Sequence, residues 1–264
     1  GEFDFYTGTA YRHCMVWHGG KTALGKITPP HDITGKKIAE YLPSHPDAAP
    51  ILDLMKRSVD ILKDHPINRE RVSKGLNPAN AIWLWGQGNR PQLQNFHDRF
   101  GLHGSVVSAV DLLRGIGRLA GMNVCQVEGA TGYIDTNYTG KMQAALQELK
   151  NGQDYVYIHV EAPDECGHRG EVQNKVKAIE DIDRLILGPL LEQLPQFGDY
   201  TVMVLPDHPT PLDIRTHVST PVPYLLYRSN AEQDSGIACF TEAAAETTGL
   251  LIDPGYTLID RALQ

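Results

Sequence analysis

The sequence lacks the features that would place it in a membrane, outside the cell or on a nucleic acid. Its 264 residues include four cysteines, Cys14, Cys125, Cys166 and Cys239, and no two share a CxxC spacing. That argues against a disulfide framework and a zinc ribbon, and fits a reducing cytoplasm. No apolar run approaches the ~20 residues that span a bilayer, and the first residues carry no basic-then-apolar secretion signal. Lysine and arginine number 24 against 32 acidic residues, and the resulting charge of −8 disfavours nucleic acid as the main partner. An anionic substrate must then be drawn in by local cations, either metal ions or a few placed Arg and Lys. Walker, GxSxG and HExxH motifs are also missing, which removes nucleotide cradles, elbow-type serine hydrolases and zincin peptidases from consideration. Gly115-Ile-Gly117-Arg-Leu-Ala120 imitates a dinucleotide fingerprint, but it ends a helical run instead of joining a strand to a helix.

What is present describes a globular protein: 41% hydrophobic and 21% charged residues, with length for one large domain or a core carrying an inserted lobe. Residues 1–45 are rich in Gly, Pro, Thr and His, with a β-prone run over Ala10–Trp17. Helical spacing follows over Pro50–Leu62, and Asn77-Pro78 closes that region. Beyond it, strand-like runs occur at Ala81–Trp85, Asn123–Val127, Tyr155–Val160, Tyr200–Leu205 and Pro223–Tyr227. Helical runs at Ser105–Leu119, Gly140–Lys150 and Val172–Leu194 lie between them. Apolar strands alternating with amphipathic helices predict an α/β fold with a mostly parallel sheet and helices on both faces. The expected division is a small α+β lobe over residues 1–77 and an α/β core over 78–264.

Ligands of open α/β sheets bind beyond the carboxyl ends of the strands. The run Tyr155–Val160 leads into Asp164 and His168, and Tyr200–Leu205 leads into Asp207 and His208, with His217 nine residues on. Two strand ends thus each deliver a carboxylate with an imidazole, and a third imidazole follows. Mixed nitrogen and oxygen donors suit Zn²⁺ or Mn²⁺ better than Ca²⁺ or Mg²⁺. Glu161 and Asp213 read as supporting or surface acids, and His159 as a packed histidine.

Several longer runs resemble one family: Tyr11-Arg-His, Pro30-His-Asp-Ile-Thr-Gly-Lys36, Asn77 to Gly88 with its WLWGQG, Gly129 to Lys141, Ala162-Pro-Asp-Glu-Cys-Gly-His168 and Pro206-Asp-His-Pro-Thr-Pro211. Together they resemble the cofactor-independent phosphoglycerate mutases of the shorter, archaeal-type branch, within the alkaline phosphatase superfamily. The resemblance implies an alkaline-phosphatase-like core with residues 1–77 as part of an inserted lid. It also implies two divalent cations, Mn²⁺ foremost with Mg²⁺, Zn²⁺ or Co²⁺ as alternatives, and no need for bisphosphoglycerate. Asp164, His168 and His217 would hold one metal, and Asp207 with His208 would belong to the other. The reaction implied is interconversion of 3- and 2-phosphoglycerate through a phosphoserine. The partner is then a small phosphorylated three-carbon acid, with Arg12, His31, Asp32, Lys36 and Lys141 as candidates for binding it. Arg12 stands first because its planar fork suits bidentate binding.

In that family the nucleophile and a further metal-binding Asp come from an N-terminal part for which no counterpart is seen here. The chain is therefore expected to correspond to the C-terminal two-thirds of such an enzyme and to be inactive alone. Self-association through an unpaired sheet edge is a further expectation. If a nucleophile did lie within the chain, Ser219, Thr220 and Thr210 would be the first hydroxyls to test. The alternatives are a non-catalytic metal-binding fragment, or a metal-dependent phosphatase or phosphodiesterase of the same superfamily.

Overall fold

Two short aromatic-rich runs at the start pair with each other. Strand β1 (Phe3–Tyr6) lies antiparallel to β2 (Cys14–Trp17), with Phe3 opposite Trp17 and their rings 5.5 Å apart. The computed structural model describes residues 1–8 and 12–263, so Tyr11 of the Tyr11-Arg-His run lies outside the described residues. The chain forms two units, Gly1–Pro91 and Gln92–Gln264.

In the first unit, α1 (Ala49–Lys63) turns Ile51 and Met55, one helical turn apart, against Leu24 and Ala48. Helix α2 (Pro66–Ser73) follows, with proline in its first turn, where a missing N–H costs nothing. The strand expected at Ala81–Trp85 does not form. Ile82, Trp83 and Leu84 instead lie on the cluster built by Leu24, Ala48, Ile51 and Met55. The Ile82 N–H donates to Ser58 Oγ at 2.9 Å, and the Trp83 indole N–H donates to the Thr28 carbonyl at 2.9 Å. An apolar run reads alike whether it buries in a sheet or on a helix, and here the partner is a helix. The buried Asn68 side chain also clasps Ala79, accepting from its N–H at 2.9 Å and donating to its carbonyl at 2.8 Å. Residues 78–91 accordingly pack with the first unit, and the division between units falls after Pro91.

The second unit opens with α3 (Phe96–Phe100), β3 (Gly104–Val107), α4 (Asp111–Leu119), β4 (Asn123–Cys125), α5 (Tyr138–Lys150) and β5 (Tyr155–Ile158). The three strands are parallel in the order β4-β3-β5. One crossover steps one way from β3 and the next steps back past it, so right-handed connections set α4 and α5 on opposite faces. The helix expected from Ser105 starts only at Asp111, because Gly104–Val107 is the central strand, buried along its length. The Gly115–Ala120 run falls at the end of α4, with Gly117 packed where a Cβ would come 2.8 Å from the Val106 side chain.

Tyr138, Met142 and Leu146 recur every fourth residue on α5 and form the core with Ala162, Ala178 and Ile186. Helices α6 (Ala162–Arg169) and α7 (Val172–Ile182) follow, then a π turn over Asp183–Leu187 and α8 (Gly188–Gln193). The long helix expected from Val172 to Leu194 is thus interrupted ahead of Pro189, whose missing N–H and ring disturb the preceding hydrogen-bond ladder.

Strand β6 (Thr201–Val204) pairs with β7 (Leu225–Arg228) in antiparallel fashion, so the last expected strand reverses direction. Among the described residues β5 pairs only with β3 and β6 only with β7, which leaves each with an open edge. Short helices α9 (Glu242–Glu246) and α10 (Leu258–Ala262) end the unit. Among the described residues, no helix is long and apolar enough to cross a membrane.

Candidate metal centre

The site grows from the carboxyl ends of β5 and β6. Just beyond β5, Glu161 leads into α6, where proline in the first turn suits the helix start. Asp164 and His168 are one turn apart on that helix and share a face, with Asp164 Oδ2 3.4 Å from His168 Nε2. Gly170 ends the helix in the left-handed region (φ 69°), where the Arg215 guanidinium lies so close that a Cβ would come within 2.7 Å of it.

The loop after β6 brings the other donors. His208 and His217 rings lie 3.8 Å apart, and His217 Nε2 is 3.4 Å from Asp164 Oδ1 and 3.0 Å from His168 Nε2. Asp164, His208 and His217 each offer a donor atom, all within 4.8 Å of one another. Two ligands ~2.1 Å from a tetrahedral cation lie roughly 3.4 Å apart, so the Asp164–His217 separation already suits a shared metal ion. One carboxylate with two or three imidazoles is the donor chemistry of a transition-metal site. The residues present therefore fit a divalent cation.

The surroundings fix these rings. His168 Nδ1 faces the Arg215 carbonyl at 3.0 Å; a carbonyl only accepts, so the proton sits on Nδ1 and the Nε2 lone pair is left for a metal. Arg215 itself holds a left-handed φ of 58°, the one non-glycine among the described residues to do so. Thr210, buried beneath the cluster, donates through Oγ1 to Asp164 Oδ1.

The five sequence candidates lie near one another, and the expected set of Asp164, His168 and His217 has mutual contacts of 3.4, 3.4 and 3.0 Å. His208 joins Asp164 and His217, with His168 beside them. Asp207 stays at the edge, its side chain 73% exposed and 3.5 Å from His208 Nε2. Asp213 is on the surface. His159 packs through Nδ1 against Ser108 Oγ at 3.1 Å, and burial followed by the Lys141 charge pushes its pKa down.

Lys141 is fully buried and donates to the His159 carbonyl at 3.0 Å; burial pushes its ammonium down to about 8, against the pull of Glu161. In the first unit, His31, Asp32 and Lys36 share one loop. His31 lies edge-on to Trp85 with centroids 5.2 Å apart, and Lys36 Nζ reaches the Asp32 carbonyl at 3.4 Å. Arg12 lies half-buried just ahead of β2.

Sequence reasoning passed over Lys175, which donates to the Thr210 carbonyl at 2.8 Å, and Ser108. It named Thr210 only as a spare hydroxyl. Its place two residues after His208 was the available signal for a supporting role.

A family model described as the Metalloenzyme superfamily matches residues 35–259. The chain belongs to that superfamily. A second model, for 2,3-bisphosphoglycerate-independent phosphoglycerate mutase, matches residues 1–68. A Geobacter sulfurreducens protein named as a probable enzyme of that kind is 49% identical over 99% of this chain and 65% of its own length. One from Methanosarcina barkeri is 47% identical over 94% of this chain and 63% of its own length. The chain thus spans slightly less than two thirds of the length of these curated relatives.

Among solved structures, a Pyrococcus horikoshii protein superposes with a TM-score of 0.64 at 31% identity, over 78% of this chain and 54% of its own. The cofactor-independent phosphoglycerate mutase of Thermoplasma acidophilum, 24% identical, matches with a TM-score of 0.54 over all of this chain and 65% of its own, which speaks to the fold. This superfamily member therefore combines a metalloenzyme fold with a donor cluster at the carboxyl ends of its strands.

Proposed function

We propose that this chain is the metal-binding portion of a phosphoglycerate mutase that interconverts 3- and 2-phosphoglycerate without bisphosphoglycerate, in the cytoplasm. The convergence of Asp164, His208 and His217 carries the reading, in a chain whose relatives bear that enzyme's name. Asp164, His208 and His217 would hold one divalent cation, Mn²⁺ by preference, with His168 beside it and Asp207 at the edge toward a second. A cation bound there would polarise phosphoryl oxygens and ease deprotonation of a serine or threonine hydroxyl.

The chain's own groups do the rest. Thr210 and the Arg215 carbonyl orient Asp164 and His168, and the buried Lys141 braces the carboxyl end of β5 through the His159 carbonyl. Arg12, His31, Asp32 and Lys36 are proposed to meet the substrate's phosphate and carboxylate. The first unit is proposed as a lid lobe that keeps water from the phosphorylated nucleophile, since water there would turn the mutase into a phosphatase. We place that nucleophile in the third of the relatives' length that this chain does not span.

A coupled assay from 3- to 2-phosphoglycerate, with Mn²⁺ and no bisphosphoglycerate, tests this. It is run on the chain alone and on the chain joined to the remaining third of the Geobacter relative. The expected result is conversion in the joined protein alone. Release of inorganic phosphate in place of 2-phosphoglycerate would make it a phosphatase, and folded but silent protein in both cases would contradict the reading.

A further inference from the structure

We infer that the Thr210 hydroxyl is a positioning group that sets two metal ligands at once, the carboxylate orientation of Asp164 and the tautomer of His208. The inference rests on the metal-site reading above and adds a residue to it. Thr210 is 4% exposed, and each of its substituents is occupied. Its carbonyl accepts from Lys175 Nζ at 2.8 Å. Its methyl and carbonyl lie against Gly167 of α6 so closely that a Cβ there would come 2.9 Å from Thr210 Cγ2 and 2.6 Å from the Thr210 oxygen. With backbone and methyl both held, the hydroxyl has one direction left, toward Asp164 Oδ1 and His208 Nδ1.

The donor arithmetic then fixes the hydroxyl proton and favours one form of His208. A carboxylate only accepts, so the single hydroxyl proton goes to Asp164 Oδ1. The oxygen of that hydroxyl is left as an acceptor, which a proton on His208 Nδ1, 3.3 Å away, satisfies. An Nδ1–H ring leaves the lone pair on Nε2, the form a metal requires; the Asp207 carboxylate, 3.5 Å from Nε2, would draw the proton there instead, so Thr210 is the group that favours the metal-ready tautomer. One hydroxyl thus does for His208 what the Arg215 carbonyl does for His168, and it anchors the shared carboxylate as well. Threonine suits the position better than serine because its methyl, seated on Gly167, restricts χ1.

Thr210→Val keeps the shape and removes the hydroxyl, and Thr210→Ser keeps the hydroxyl and removes the methyl. Co²⁺ is titrated into each folded chain and followed by its visible absorption. Long-range ¹H–¹⁵N spectra of the metal-free chains report which nitrogen of His208 is protonated. We expect Thr210→Val to weaken Co²⁺ binding by about 10–100-fold, as loss of an outer-shell partner does. We also expect it to shift His208 away from the Nδ1–H form, and Thr210→Ser to restore both within a few fold.

An unchanged tautomer and affinity in Thr210→Val would overturn the inference, as would an Nε2–H ring in the unaltered chain. The latter reading needs no variant to fold. Failure of Co²⁺ to bind the unaltered chain would count against the metal site itself. The metal-free spectra would still decide the role of Thr210.

Discussion

Saturating Mn²⁺ is expected to raise the melting temperature of the chain, and His217→Ala to remove that rise. A ligand that binds only the folded state stabilises it by about 4 kcal/mol at a thousandfold excess over its dissociation constant. For domains of this size each kcal/mol moves the midpoint by roughly 2–4 °C, so the rise should reach about 8–16 °C. His217 is the residue to remove because its Nε2 lies near both Asp164 and His168, and its ring lies against His208. Without it the cluster loses its centre. The loss of affinity should exceed the ~10–100-fold typical of outer-shell changes. Differential scanning calorimetry with Mn²⁺ and with chelator measures both parts, and an equal rise in His217→Ala would contradict the assignment.

The second large effect concerns pH and Lys141. Its ammonium is buried and titrates near about 8 in the folded chain, against 10.5 for an ordinary lysine. Between those values the unfolded chain holds a proton that the folded chain has released, so stability rises with pH across that window. Below about pH 8 both states are protonated, and the folded state carries the full cost of the buried charge, on the order of 3 kcal/mol. Lys141→Met should flatten the rise. Urea unfolding of both chains at several pH values between about 7.5 and 10.5 measures the two slopes. Parallel slopes would mean that Lys141 is not the group responsible. The comparison is of slopes, because the variant also leaves the His159 carbonyl without its donor.

The α/β class, the strands that open onto the site and the residues of the donor cluster were legible in the sequence. Continuous apolar runs such as Tyr155–Ile158 and Thr201–Val204 announce strands, and polar residues directly after them announce the site. Four things were not legible, each because its cause is nonlocal. The run at Ser105 carries apolar residues at helical spacing, but burial beneath two crossovers makes its first part the central strand. The Ala81–Trp85 run looks like a strand, and only the position of α1 shows that it packs on a helix.

The grouping of His208 with Asp164 and His217 depends on how the loop after β6 folds back, with Val218 N–H donating to the Pro209 carbonyl at 3.2 Å. The expected pairing of His208 with Asp207 followed the family resemblance, and the two side chains lie 3.5 Å apart at the edge of the same cluster. What motif order does not show is which further donors the folded loop brings to them. The supporting role of Thr210 was hidden for the same reason: Gly167 and Lys175, which hold it, lie on other elements.

Anomalous diffraction from crystals grown with Mn²⁺ tests the central claim most directly. The account predicts a peak bounded by Asp164, His208 and His217, about 2.0–2.3 Å from a donor atom of each. A Mn²⁺ peak elsewhere, with these three side chains left in contact only with one another, would contradict it.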